Sequence, residues 1–124
     1  MPGLEGAGTV AAMGEAVTRL ELGQTVGLGW MSRSCGQCES CLGGDQHLCQ
    51  NHPELTIVGR YGVFAYRGRA DVGWVLTLPD ALPMEKAGPL FCGGITVFGP
   101  IVAMGVMPTD KVGVIGLGAW AIWR

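Results

Sequence analysis

The sequence predicts a mainly β domain that carries a metal-stabilised lobe and then gives way to an α/β segment. Three observations carry that reading. Short β-leaning stretches alternate with glycine-rich turns through most of the chain, four cysteines crowd one polar loop, and an uncharged helical stretch leads into a compact apolar strand. At 124 residues the chain is one domain's worth of protein, enough to bury a core but too little for a two-domain enzyme.

The elements follow in chain order. Residues 6–12 (GAGTVAA) and 25–30 (TVGLGW) are small and β-leaning, and a polar turn around residues 15–23 joins them as strands. From Ser32 to His52 apolar periodicity disappears and cysteine, glycine and polar residues take over, which marks a loop held by something other than a core. Residues 55–58, 63–66 and 74–78 read as further short strands, and Pro79 and Pro83 punctuate a change to helix. A helical region begins at Met84, resumes after Pro89 and runs towards Met107; residues 111–115 (KVGVI) form an apolar strand entered through Pro108-Thr109-Asp110. The first domain is expected over residues 1–83, with its lobe at 32–52, and residues 84–124 hold linking helices and the start of a second domain.

Composition narrows the function. Apolar residues make up 48% and charged residues 15%, so much of this chain expects a cover; the net charge of −2 excludes the basic footprint of a nucleic-acid binder. Met1-Pro2-Gly3-Leu4-Glu5 has neither the basic start nor the apolar core of a signal peptide, and a cytoplasmic location is expected. Residues 87–107 carry no charge and are long enough to cross a bilayer. Pro89, Pro100 and repeated glycines interrupt them and no basic cluster flanks them, so buried helices rather than a membrane span are expected. Left uncovered, such a surface favours self-association.

The spacing Cys35-x2-Cys38-x2-Cys41-x7-Cys49 puts three thiols on consecutive tight turns and returns a fourth from a short loop. Gly36 eases the first turn, and Gly43 and Gly44 help to reverse the loop. Four thiolates closing a tetrahedron are the donor set of a structural zinc ion. Disulfides suit the two-residue spacings less well and nothing marks the chain as secreted. An iron–sulfur cluster shares the first three spacings, but that run continues with three residues and Cys-Pro, whereas seven residues intervene here and Gln50 follows Cys49. Four unligated core thiols in a polar loop would be unusual. His47 and His52 lie in the same lobe and read as surface histidines.

Four segments together carry a resemblance. They are P-G-L-E-G-A-G (residues 2–8), the lobe C-G-Q-C-E-S-C with Cys49, A-G-P-L-F-C-G-G-I-T-V-F (residues 87–98) and K-V-G-V-I-G-L-G (residues 111–118). Their order resembles the zinc-dependent medium-chain dehydrogenases, most closely the bacterial alcohol dehydrogenases related to cinnamyl alcohol dehydrogenase. The resemblance implies a GroES-like β-barrel with a structural-zinc lobe, followed by helices and the first strand of a Rossmann domain. It also implies NAD(P)-dependent interconversion of alcohols and aldehydes, with a catalytic zinc polarising the substrate oxygen. Cys92 matches the second catalytic cysteine and Glu5 the acidic residue after the histidine ligand. That histidine is replaced by Leu4, which cannot ligate zinc. The resemblance places the first catalytic cysteine before Met1, so the pair is expected to be vestigial and the chain inactive.

Thr96 matches a position near the nicotinamide, with a small packing residue as the plain reading of the same spacing. Gly116-Leu117-Gly118 follows the last strand as a phosphate-binding turn does, with Ala121 at the third small position. Trp120 and Trp123 do not suit a turn beneath a pyrophosphate, and the segment that reads the ribose is missing, so a bound dinucleotide is not expected. The family continuation after Gly118 would read G-L-G-H-M-A, and a one-base shift in one possible coding of it yields A-W-A-I-W-R, residues 119–124. A chain truncated at both ends by gene decay is the expectation. A small zinc-binding interaction module is the alternative.

Overall fold

Strand β1 (Gly6–Thr9) runs antiparallel to β2 (Thr25–Leu28), with Gly6 opposite Leu28 and Thr9 opposite Thr25. The computed structural model describes residues 2–116 and Gly118. β3 (Met31–Arg33) begins just after β2 and pairs antiparallel with β4 (Glu54–Leu55), Met31 opposite Leu55 and Arg33 opposite Glu54. The lobe between β3 and β4 contains a single helical turn, α1 (Glu39–Leu42), and a 3₁₀ turn at Gln46–Leu48. β5 (Val75–Thr77) returns to the other edge of β2 and completes a three-stranded sheet in the order β1-β2-β5. The fold is mainly β, as expected, with short strands.

The strands are shorter than the sequence suggested, for local reasons. β2 ends at Leu28, before Gly29 and Trp30. β4 is only Glu54–Leu55, and its ladder with β3 carries a register irregularity between Met31 and Arg33. Thr56 still donates its N–H to the Trp30 carbonyl at 2.9 Å, and its hydroxyl donates to the Gly29 carbonyl. Residues 63–66 form no strand; Val63 and Phe64 instead donate to the carbonyls of Gly3 and Pro2 at 3.0 and 3.1 Å. Gly3 has φ +111, and a Cβ there would lie 2.4 Å from the Phe64 nitrogen, so only glycine permits this approach.

The core is small. Leu20, Val26 and Val75 are buried, with Val10, Val17, Leu28, Ala70 and Val72 packed around them. Arg19 closes one side by donating to the carbonyls of Val72 and, at 2.8 Å, Val75. The accessible surface is 9371 Å² for 13.0 kDa. That is about half as much again as the roughly 6300 Å² expected of a folded monomer of this mass.

After Pro83 the chain turns into α2 (Met84–Ala87), where Ala87 is fully buried, and then a 3₁₀ turn at Gly88–Phe91. The Phe91 ring lies flush on Gly27 of β2, where an added Cβ would come within 1.9 Å of Cζ. α3 (Gly93–Ala103) follows and contains Pro100. It ends in a glycine cap: Gly105 has φ +64, and Val106 donates back to the Ile101 carbonyl at 3.0 Å.

Two sequence expectations fail here. α3 has no buried residue, and Ile95, Phe98 and Val102 are 50%, 60% and 59% exposed. Its apolar positions record a need for cover that the described residues do not meet. No single helix among them is long and apolar enough to cross a membrane; the Met84–Phe91 and Gly93–Ala103 helices pass that test only as a pair, bent by 59°. Residues 111–115 form no strand and are exposed, because a buried parallel strand needs neighbours on both edges and the two described sheets end without it.

Candidate metal centre

The four-cysteine lobe is shaped by its turns. Gly36, at φ +70, lets the chain reverse between Cys35 and Cys38. Cys38 adopts extended geometry at the start of α1, and Cys41 lies inside that turn and points inward, buried. The two glycines after it differ in role. Gly43 is in right-handed helical geometry and donates to the Glu39 carbonyl at 2.8 Å, while Gly44, at φ +92, makes the reversal and donates to the Cys41 carbonyl at 3.3 Å. The 3₁₀ turn then delivers Cys49, whose N–H bonds the Gln46 carbonyl at 3.1 Å.

The result is a sulfur cluster. The Sγ atoms of Cys35, Cys38, Cys41 and Cys49 all lie within 4.8 Å of one another, and none is in a disulfide. Cys35 and Cys41 are 3.8 Å apart at sulfur. A tetrahedron with metal–sulfur bonds of about 2.3 Å has edges of about 3.8 Å, so the donor set fits a tetrahedral thiophilic ion.

Backbone N–H groups prepare the sulfurs for the thiolate state. Cys35 Sγ accepts from the N–H groups of Gln37 at 3.4 Å and Cys38 at 3.3 Å. Those bonds hold its thiol at about 6 instead of the ordinary 9.0. The Asn51 amide reaches the same sulfur at 3.8 Å. Cys38 is lowered by N–H donors of Gln50 and Cys41. At Cys41 the Ser34 hydroxyl favours the thiolate, but burial and the neighbouring Cys38 and Cys49 raise it on balance. These second-rank donors were not legible in the sequence; a Ser or Asn beside a cysteine ligand was the available signal.

The other residues singled out from the sequence are distributed more loosely. Cys92 is half-buried at the start of α3, and its thiol is pushed up by burial and by the Glu5 carboxylate beside it. Glu5 Oε2 is buried without a hydrogen-bond partner. The structure thus brings Cys92 and Glu5 together, and Leu4 immediately precedes Glu5 in the sequence. Among the described residues the four cysteines are the one cluster of three or more metal-ligating groups. His47 and His52 are exposed and outside it.

Thr96 is exposed on α3, one turn from Cys92, to whose carbonyl its N–H donates at 3.0 Å. Gly116, with φ +103, and Gly118 are exposed in an open bend with no strand before it. Leu117, Ala121 and the two tryptophans lie outside the described residues. A phosphate-binding turn needs the strand and helix that would aim it, and the residues described do not supply them.

Comparison with known proteins gives one answer. The alcohol dehydrogenase GroES-like domain matches residues 1–80. An aldehyde reductase, AdhA, of Synechocystis is 54% identical over 118 residues, covering 95% of this chain and 35% of the relative. An alcohol dehydrogenase of Geobacillus stearothermophilus is 35% identical over 120 residues, again covering 95% of this chain and 35% of the relative. The chain therefore spans about a third of the length of these relatives. Among solved structures, the cinnamyl alcohol dehydrogenase of Helicobacter pylori complexed with NADP(H) superimposes with a TM-score of 0.85 at 27% identity, over 94% of this chain and 36% of that one. A cinnamyl alcohol dehydrogenase of Sorghum bicolor gives 0.80 at 32% identity, with the same coverage.

Proposed function

The chain belongs to the alcohol dehydrogenase GroES-like domain family, and from that premise we propose that it is the structural-zinc-bearing part of an NAD(P)-dependent alcohol or aldehyde oxidoreductase, without catalytic activity of its own. One observation carries the zinc reading: four cysteine sulfurs lie within 4.8 Å of one another in a lobe that no apolar core holds. Cys35, Cys38, Cys41 and Cys49 would hold the ion. All four positions of the tetrahedron are filled by protein, which is the arrangement of a structural rather than a catalytic site. Such an ion contributes on the order of 10–16 kcal/mol in small zinc peptides, against roughly 5–15 kcal/mol for the stability of a whole domain. Losing it unfolds at least the lobe.

The relatives that this chain resembles are reductases and dehydrogenases of alcohols and aldehydes, which supports the substrate class. Inactivity rests on Leu4. Cys92 and Glu5 are the residues of a family metal position that remain here, and one thiolate and one carboxylate do not complete a zinc site; Thr96, Gly116 and Gly118 likewise do not complete a dinucleotide site. The reading divides the chain at residues 83 and 84, assigns the protein to the cytoplasm and expects the isolated chain to self-associate through α3.

A second reading is favoured by the exposed apolar face of α3: a non-catalytic zinc module that works through protein contacts. Elemental analysis of the purified chain, before and after a strong chelator, tests the first. One zinc per chain, with loss of folded structure on removal, is expected. Two would overturn inactivity, iron would turn the reading to electron transfer, and no metal would overturn it altogether.

A further inference from the structure

We propose that Glu54 is a positioning residue for the metal centre, fixing the neck from which the lobe's first and last donors leave; the inference rests on the structural-zinc reading above. Apolar packing does not hold the lobe, for Leu42 and Leu48 are 76% and 59% exposed. The neck does so instead. β3 and β4 pair there, with Arg33 opposite Glu54. Cys35 follows Arg33 after a single residue, and Cys49 shortly precedes β4, so the spacing of the two strands sets the spacing of these two sulfurs.

Glu54 is the hub of that neck. Its carbonyl accepts from the buried Ser32 hydroxyl at 3.2 Å. Its Oε1 faces Arg33 Nη1 at 3.6 Å, and its Oε2 accepts from Arg60 Nε at 2.6 Å and also meets Arg60 Nη2. One carboxylate thereby ties the strand entering the lobe to the segment leaving it. With the tie in place the metal-free donors start close together. Without it they gain freedom, which metal binding must then remove.

The expected size is modest, because the Glu54 and Arg33 side chains are 39% and 59% exposed. Two such surface pairs together correspond to a roughly 2- to 30-fold change in affinity.

The test is Zn²⁺ and Co²⁺ affinity of the full chain, measured by competition with a chromophoric chelator. Glu54→Gln is expected to weaken both ions about 2- to 30-fold, to leave the cobalt–thiolate spectrum unchanged and to lose its difference from the parent at high salt. Arg60→Gln is the second variant and is expected to act in the same direction. Leu20→Ala, in the sheet core away from the lobe, is the control: it lowers unfolding stability and leaves affinity alone. Parental affinity in both charge variants, or equal weakening by Leu20→Ala, overturns the positioning role by itself. A parent chain that binds neither ion through thiolates overturns the zinc reading and this role with it.

Discussion

The contact between Gly27 and Phe91 joins the sheet to the segment that carries Cys92, and Gly27→Ala attacks it directly. The new methyl would meet Cζ, Cε2 and Cε1 of Phe91 at 1.9, 2.4 and 2.5 Å. All three atoms belong to the outer end of the ring, so the ring has to move off the strand. Reaching an ordinary carbon–carbon separation of about 3.5 Å requires a withdrawal of roughly 1.6 Å. Behind it, the Phe91 carbonyl sits 3.2 Å from the place a Cβ on Gly29 would take, so the backbone there is close to the strand as well. A half-buried phenylalanine that lifts off its sheet loses about 1–2 kcal/mol of burial, within the 1–3 kcal/mol usual for overpacking.

Urea unfolding of the zinc-loaded chain should accordingly show Gly27→Ala less stable by about 1–3 kcal/mol. The decisive feature is a change of sign. In a Phe91→Ala background the steric conflict is gone, and replacing a strand glycine of ordinary φ by alanine should be neutral or stabilising by up to about 1 kcal/mol. Equal cost of Gly27→Ala in both backgrounds would refute the packing argument, and no cost in the parent would refute the contact itself.

Two further predictions follow from electrostatics and exposure. In the metal-free chain Cys35 titrates at about 6 instead of 9.0; a depressed folded-state value stabilises the fold above the unfolded value, and that contribution is lost as pH falls from 9 through 6. Ultraviolet thiolate absorbance and urea midpoints across that window should move together, and a flat midpoint would show that the N–H donors do not act on this sulfur. On α3, Phe98→Lys should change unfolding stability by less than about 0.5 kcal/mol while reducing light scattering by concentrated chain; a loss above about 1 kcal/mol would mean that the 60% exposed ring is covered after all.

How much was legible depended on whether the signal was local. The cysteine spacing predicted a sulfur cluster because short turns bring near neighbours together whatever surrounds them, and the four sulfurs do converge. β1, β2 and β5 were legible from β-branched residues between turns. β3 was missed, since Ser32 and Arg33 read as the start of a polar lobe; its pairing depends on Glu54 and Leu55, far along the chain. Residues 111–115 have the composition of a buried strand and form none, because composition states a preference and partners decide. The neck around Glu54 was invisible for the same reason: an Arg, a Glu and another Arg at uneven spacing carry no periodic signal.

That neck has a kinetic side. β2 and β5 must find each other across a long intervening segment, and closing a loop costs entropy that grows with the logarithm of its length. β3 and β4 lie inside this segment and pin Met31 to Leu55, which removes the whole lobe from the distance to be closed and roughly halves it. Each halving is worth about 0.6 kcal/mol. A lobe that folds early around its metal thus works as a shortcut in the chain, bringing the last strand of the sheet within easier reach of the first two.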